Sequence, residues 1–550
     1  MTILILDIET NTKHDTIWCC VTQRLDTNAV QVHTSAQTLR PLIQYADTIV
    51  GHNIIGFDGP VLRNVWDVAM PVKKIQDTLV MSRLLNPVIE GGHSLRAWGQ
   101  RLGNYKDDFS DYDGGLSDEM IGYCKQDVAV TAQLYKHLLL EYAQWDTYKQ
   151  SLELEHLVAV ECAKQERNGF KLDVPSAEVL HATLQDRMSV IEEQMQEVFQ
   201  PIVEERWSEK TGKRLKDKIT IFNPGSRQQI ATRLQQLGWK PQKYTETGQA
   251  IVDETTLEEA DIDEAKLIAE YLMIQKRVGL LDSWLKNADE ETQRVHGRII
   301  TNGAITGRMT HHSPNMGQIP SVTKPYGEEC RKLWTVEEGN VLIGCDLAGI
   351  ELRCLAHYMQ DAEWTKELLN GDIHTKNQLA AGLQTRAQAK TFIYATLYGA
   401  GPAKIGLIVG GGAREGNELL EAFYRNTPKL ASLMQKVQRH AEKGYVPGLD
   451  GRRIHVRSAH AALNTLLQGC GAIIAKQWCV EMHKLFRAKA LHVKQVAFVH
   501  DEIQIEGKEG DGEQIAKLMV EAAASAGKTL GFRCPVDAEA KIGQNWYDTH

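Results

Sequence analysis

The sequence predicts a large multidomain chain of mixed α/β and α+β class, on three observations. Its 550 residues are 43% hydrophobic, enough for roughly three or four domain-sized cores. Strand-like apolar runs near the start give way at about Ser151 to long helical patterns. Strand-like runs then return near Val341 and Gln495, each ending in an acid.

Composition excludes several classes. The apolar run at residues 3–6 is too short for a signal peptide, and no stretch approaches the roughly 20 apolar residues of a membrane span. A cytosolic chain with no membrane partner is expected. Ten cysteines occur with no CxxC pair and only Cys19 and Cys20 adjacent, a pattern of reduced thiols rather than of a metal or disulfide framework. A net charge of -9 argues against a uniformly basic DNA-coating protein, yet leaves room for basic grooves around an acidic metal centre.

In the first third, residues 3–8 (ILILDI) read as a buried strand. Asp7 and Glu9 lie two apart, so the strand period puts both on one face. Residues 53–58 (NIIGFD) add Asp58. Residues 123–127 (YCKQD) open a helical pattern that sets Tyr123 and Asp127 on one helix face. Asp7, Glu9, Asp58 and Asp127 form a four-carboxylate set able to hold two divalent metals, with Tyr123 suited to orient an attacking water. This arrangement resembles the DEDD exonuclease superfamily in its tyrosine-containing version. The resemblance implies 3′-to-5′ removal of nucleotides on an RNase H-like mixed sheet over residues 1–145. Phe57 and residues 92–95 (GHSL) match the same family, and ordinary packing explains them equally well.

The middle third reads as helices. The clearest spans residues 176–199, with Leu180, Leu184, Met188, Ile191, Met195 and Val198 on one core-facing stripe, and Asp173 before Pro175 is a start signal. Residues 209–218 (EKTGKRLKDK) are either a solvated charge run or a grip on phosphates. In residues 222–230 (FNPGSRQQI), Arg227 is a candidate backbone contact that would not read sequence.

In the last third, residues 341–345 read as a strand leading to Asp346, with a helix over 351–359. Asp501, in VHDEIQ at 499–504, falls on the turn of a hairpin formed by 495–499 and 503–505, facing Asp346. Two carboxylates held by separate strands are what two-metal phosphoryl transfer needs, because Mg²⁺ prefers rigidly presented oxygen ligands. His374 precedes Arg386, Lys390, Tyr394 and Tyr398, which recur every fourth residue. Such a row drifts by about 40° per step, presenting two cations for phosphates and then two aromatics for base or sugar.

These blocks, with TGR at 306–308, PN at 314–315 and QIP at 318–320, resemble the family A DNA polymerases over nearly the whole chain. GDIHTKNQ, AKTFIY, LYGAG, KIG and HVRSxHAALNTLLQ narrow the resemblance to the replicative polymerases of short-tailed phages. It implies a right-hand polymerase: thumb at 146–300, palm at 301–360 and 445–550, fingers at 361–444. Asp346, the Leu347 carbonyl and Asp501 would bind metal, with Glu502 as a support. Glu351 would lie beneath the incoming sugar and exclude a 2′-OH, although a plain helix-start carboxylate also accounts for it. Arg386 and Lys390, with His374 alongside, would neutralise the triphosphate. Tyr398 and Gly399 would stack near the template base. Arg308 would enter the minor groove near the primer end, and His500 would touch the primer backbone. Gln468 matches a minor-groove contact but also suits a buried structural amide, and the FNPxS block of family A thumbs favours Arg227 as a DNA contact. Tyr394 stands where some relatives have Phe, and a hydroxyl there goes with acceptance of dideoxynucleotides.

The implied activity is template-directed attack of a primer 3′-OH on the α-phosphate, with 3′-5′ proofreading. Two Mg²⁺ are expected in each site, with Mn²⁺ able to substitute. Expected partners are primed DNA, dNTPs, a helicase-primase and a single-strand-binding protein, in a bacterial host cytoplasm, the chain being a monomer. Only about twenty residues separate Phe199 from Phe222, too few for the thumb insertion that docks thioredoxin in the best-known phage relatives, so thioredoxin is not expected. Nor is a 5′ nuclease domain ahead of Asp7. The alternatives are a DNA exonuclease with a non-catalytic DNA-binding platform and a non-catalytic replisome scaffold. Intact Asp346, Asp501, Arg386 and Lys390 count against both.

Overall fold

The computed structural model describes residues 2–105, 108–241 and 243–550. The N-terminal part is built on a five-stranded mixed sheet: β1 (Ile3–Thr10), β2 (Ile17–Arg24), β3 (Val30–His33), β4 (Thr48–Gly51) and β5 (Ile75–Asp77), in the order β3-β2-β1-β4-β5. The first three strands pair antiparallel, and β4 and β5 add in parallel. Alternation along β1 decides what each face carries. Leu4, Leu6 and Ile8 enter one core, while Ile5 enters the other with Val50, Met81, Cys124 and Val128. Asp7 and Glu9 are in phase with Ile5 and so share its side of the sheet. Around it run α1 (Asp58–Trp66), α2 (Asp118–Tyr142), which packs on β1 and β2, and α3 (Lys149–Asn168).

Next, α4 (Val174–Val198) and α5 (Asp263–Asn287) pack against each other. The Asp173 carboxylate caps α4 by accepting from Ser176 N at 3.2 Å and Ser176 Oγ at 2.7 Å, with Pro175 in the first turn. Leu184, Ile191 and Met195 are buried as the stripe requires, and Leu180 and Met188 pack partly buried. Val198 does not follow: it is 44% exposed, because the buried face passes from Met195 to Phe199, four residues on, and leaves Val198 beside it. The Phe199 and Phe222 rings lie 4.5 Å apart and close the base of a short hairpin, Ile202–Glu204 with Lys218–Thr220. Residues 209–218 form its exposed end, and Arg214 there lies 3.3 Å from both Glu205 and Asp217, the pattern of a solvated charge run.

The C-terminal part holds a four-stranded antiparallel sheet of β6 (Asn340–Leu347), β7 (Val493–Val499), β8 (Glu502–Lys508) and β9 (Ala538–Gly543), in the order β7-β8-β6-β9. Its helices include α6 (Ile350–Met359), α7 (Ile373–Ala381), α8 (Arg386–Leu397), α9 (Ala462–Ala488) and α10 (Gly512–Thr529). On β6, Val341, Ile343, Cys345 and Leu347 enter the core shared with α9 and α10, while Leu342 packs oppositely with Trp284, Trp334 and Trp546. Asp346 is in phase with Leu342 and Gly344, so it emerges exposed on the face away from α9. A Cβ at 344 would lie 2.4 Å from Gln504 Nε2 and 2.5 Å from Thr549 O, which restricts that position to glycine.

Helix α3 falls inside the interval expected for the thumb, yet it packs on α9 and β7 and ties the N-terminal sheet to the C-terminal one. The seam continues through His455 Nε2, 3.0 Å from Leu85 O, and through Asn168, which donates to Gln495 O at 3.0 Å. All ten cysteines are buried and none forms a disulfide. Among the described residues, no helix is long and apolar enough to cross a membrane.

Candidate active sites

The first acidic site assembles from β1, α1 and α2. Ligand atoms of Asp7, Glu9 and Cys124 lie within 4.8 Å of one another, and the Cys124 thiol donates to Asp7 Oδ2 at 3.5 Å. Glu9, Asp58 and Asp127 are buried. Burial pushes the Asp58 carboxyl up to about 7, and the charges of Asp77 and Asp127 add to it. Mutually repelling buried acids are what bound divalent cations neutralise, so the donor set fits metal. Tyr123, four residues before Asp127 on α2, is pushed up to about 12 by burial and by Asp127, Glu9 and Asp7. Its phenol therefore stays protonated and able to donate.

Sequence reasoning missed Asp77. Its buried carboxylate accepts from Asn53 N at 2.9 Å, Ile55 N at 3.0 Å and Leu79 N at 2.9 Å, fixing the loop that leads into Asp58. Its own N–H donates to His156 Nε2 at 2.7 Å, while His156 Nδ1 lies 2.7 Å from Leu152 O. Nε2 is thus the acceptor and the proton sits on Nδ1. Phe57 and residues 92–95 have packing explanations. The Phe57 ring meets His14 edge-on at 4.9 Å, Ser94 caps the helix Leu95–Leu102, and His93 Nδ1 is 2.7 Å from Ser82 Oγ.

In the second site, β7 and β8 are joined by a turn of two residues, His500 and Asp501, with His500 at φ 59°. Leu347 N–H donates to Asp501 O at 3.0 Å, tying that turn to the end of β6, where Asp346 stands in register with Glu502. Although the Asp346 side chain reaches solvent, the protein packed around it partly desolvates the carboxyl, and this, then the charges of Asp501 and Glu502, pushes it up to about 7. Asp501 is also raised, chiefly by burial, with Arg308 opposing. Glu502 differs. Burial pushes it up, but hydrogen bonds from His550, Trp546 and Gln504 outweigh this and hold it below the usual range. Its oxygens are engaged by protein donors, while Asp346 and Asp501 form the pair with raised proton affinity that a divalent cation would relieve. Trp546 and His550 lie too far along the chain for any local pattern to signal their part.

Glu351, in the first turn of α6, does more than cap a helix. Its Oε1 accepts from Tyr398 Oη at 2.5 Å and lies 3.6 Å from Arg308 Nη2. Residues 306–308 rest on α9 beside the half-buried Gln468: a Cβ at Gly469 would come within 3.3 Å of Thr306 O and 2.4 Å of Ile454 Cδ1.

On α8, Thr385 and Gln388 form a capping box, and Ala389, Phe392, Ile393 and Leu397 are buried. Arg386 and Lys390 are exposed, Tyr394 is half-buried, and Tyr398 follows the last turn. The four-residue row therefore lies on one face, as its spacing predicts. Arg386 is engaged within the protein, its Nε donating to Asp372 Oδ2 at 2.6 Å. Asp372 is also the N-cap of α7, accepting from His374 N at 3.1 Å and Thr375 N at 3.3 Å. The Arg386 guanidinium holds it well below the usual carboxylate range. The His374 ring sits 6.4 Å from Tyr394, and burial with nearby Arg386 lowers its proton affinity. Arg227 is not part of this cluster. It begins the helix Arg227–Gln236 and, with Lys276, Arg277 and Lys324, lines a separate cleft of about 530 Å³.

A sequence model described as DNA polymerase family A matches residues 186–548. The DNA-directed DNA polymerases of Enterobacteria phage T3 and Escherichia phage T7 are each 36% identical over 91% of this chain and 92% of their own length. DNA polymerase I of Aquifex aeolicus is 26% identical over 93% of this chain and 89% of its own. Among solved structures, the POL domain of Pol1 from M. smegmatis, in complex with DNA primer-template and dNTP, superposes with a TM-score of 0.82 at 19% identity, covering 99% of this chain and 95% of that one. A family match over residues 186–548, together with phage relatives aligned along nine tenths of the chain, means that this protein belongs to DNA polymerase family A.

Proposed function

We propose that this DNA-directed DNA polymerase extends a primer 3′-OH at Asp346 and Asp501 and removes 3′-terminal nucleotides at Asp7, Glu9, Asp58 and Asp127. The observation that carries the first reading is the hydrogen bond from Leu347 N–H to Asp501 O, which holds two carboxylates of raised proton affinity at one strand end. Divalent cations, two Mg²⁺ in each site with Mn²⁺ able to substitute, would neutralise charge on the attacking and leaving oxygens. Asp346, the Leu347 carbonyl and Asp501 would hold them in the polymerase site.

The remaining roles belong to the protein. Arg386, released from Asp372, would join Lys390 and His374 on the triphosphate. Glu351, Tyr394 and Tyr398 would bound the sugar and base, with Arg308 and Gln468 in the minor groove and His500 on the primer backbone. Arg227 would hold phosphates of the duplex further back, in a cleft with three other cations. In the first site Tyr123, protonated, would orient the attacking water.

In this reading residues 1–145 are the exonuclease, 146–300 the thumb, 301–360 and 445–550 the palm, and 361–444 the fingers. Primed template and dNTPs are the substrates, consistent with what the M. smegmatis neighbour binds. The chain would work as a monomer in a bacterial host cytoplasm beside a helicase-primase and a single-strand-binding protein. The short connection between Phe199 and Phe222 favours independence from thioredoxin.

A labelled primed template with Mg²⁺, incubated with and without the four dNTPs, tests both activities. Lengthening with nucleotides and shortening without them is expected. Shortening under both conditions would overturn the polymerase assignment and favour a nuclease with a DNA-holding platform.

A further inference from the structure

Behind the second site lies a set of charges with no part in the roles above. Glu155 from α3, Lys476 from α9, and Asp450 and Arg452 from the loop between strands Tyr445–Pro447 and Arg453–His455 are 0%, 1%, 2% and 3% exposed. Lys476 Nζ and Arg452 Nη1 each lie 2.6 Å from Glu155 Oε1, and Arg452 Nη2 lies 2.6 Å from Asp450 Oδ2. Two positive and two negative charges thus close on one another. Desolvation makes such a cluster a poor source of net stability compared with apolar packing of the same volume.

What the cluster holds is Asn302. This side chain, 3% exposed, accepts from Lys476 Nζ at 2.9 Å and from Arg452 Nη1 at 3.3 Å. Asn302 heads the loop joining strands Arg298–Ile300 and Thr310–His312, and Arg308 stands at the loop's far end. The loop is closed internally by Gly307 N–H to Ala304 O at 2.9 Å and Ala304 N–H to Arg308 O at 3.1 Å. A Cβ at Gly307 would lie 3.3 Å from Arg452 Nη1 and 3.4 Å from Asn302 Oδ1, so Arg452 meets the loop at both ends. Charge-assisted hydrogen bonds fix position more tightly than neutral ones. A loop gripped at its root and beside Gly307 leaves Arg308 little freedom except at its own side chain.

We propose that Asn302, clamped by Lys476 and Arg452, is a positioning residue that sets Arg308 against the primer terminus. This rests on the role assigned above to Arg308. Lys476 and Arg452 act through Asn302 and Gly307 and touch no substrate; Glu155 and Asp450 keep them charged and in place.

The test is a double-mutant cycle in single-turnover extension of a matched primer, with DNA affinity measured alongside. Asn302→Ala removes the link while leaving the four charges paired. It is expected to slow extension about tenfold, the scale of a hydrogen bond to a charged group, with DNA affinity unchanged. Arg308→Ala is expected to slow extension at least as much, and Asn302→Ala is then expected to add nothing. Asn302→Asp keeps an acceptor oxygen and should restore most of the rate, and the unchanged DNA affinity of Asn302→Ala separates mispositioning from loss of folding. Losses that multiply, or normal extension by Asn302→Ala beside an impaired Arg308→Ala, would overturn the proposal. Normal extension by Arg308→Ala would instead overturn the assignment of Arg308 on which it rests.

Discussion

Replacing Asp346, one of the two carboxylates proposed to hold metal in the second site, is expected to stabilise the metal-free protein. Asp346 ionises near 3.8 in an unfolded chain and is pushed up to about 7 in the fold by partial desolvation and by Asp501 and Glu502. Between these values the folded state binds more protons than the unfolded one, so stability falls as pH rises through the window and stays low above it. Three pH units correspond to about 4 kcal/mol at full value. Asp346 is exposed at the strand end, and solvent screening reduces this to about 2 kcal/mol. Asp346→Asn keeps the shape and removes the charge. Denaturant unfolding in a chelator, followed through the buried Trp334 and Trp546 beside β6, would measure it. The variant should exceed wild type by about 2 kcal/mol at about pH 8 and by about 0.5 kcal/mol at about pH 4.5. Added Mg²⁺ should then stabilise wild type more than the variant. A variant no more stable than wild type at about pH 8, or a gain independent of pH, would refute the argument that these carboxylates repel.

Other perturbations separate the remaining assignments. Asp372→Asn preserves the cap on α7 but removes the charge that holds Arg386, so steady-state kinetics should show a lower KM for dNTP, by less than about fivefold for an exposed pair. Asp7→Ala with Glu9→Ala should abolish degradation of a labelled strand and spare extension, whereas Asp346→Ala should do the reverse; loss of both activities in either variant would contradict two separate sites. Tyr394→Phe should lower the dideoxy-to-deoxy incorporation ratio, and an unchanged ratio would dissociate the hydroxyl from sugar selection. Thioredoxin should leave product length per binding event unchanged, since the chain from Phe199 to Phe222 is closed by a ring contact at its base.

What was legible in the sequence was what a local period encodes. Alternation along residues 3–8 and 341–345 assigns Asp7 and Glu9, then Asp346, to faces, and the four-residue row from Arg386 to Tyr398 follows helical geometry alone. Asp372's hold on Arg386 was not legible, because it depends on a rotamer and on how α7 meets α8. Nor was the engagement of Glu502 by Trp546 and His550, residues joined only by packing. Helix α3 shows the limit most sharply. Glu155 and His156 are consecutive and both buried, and no motif marks them, yet they face different sites. Glu155 pairs with Lys476 and Arg452 behind the site of Asp346 and Asp501, while His156 accepts from Asp77, whose carboxylate braces the loop leading to Asp58. An ionisable residue buried within a helix must find a partner or lose its charge, so in a sequence it signals that a distant partner exists without saying which. The partners here lie on both sides of α3. The same helix that joins the two halves of the fold therefore carries polar contacts to the loop braced beside each half's acidic site.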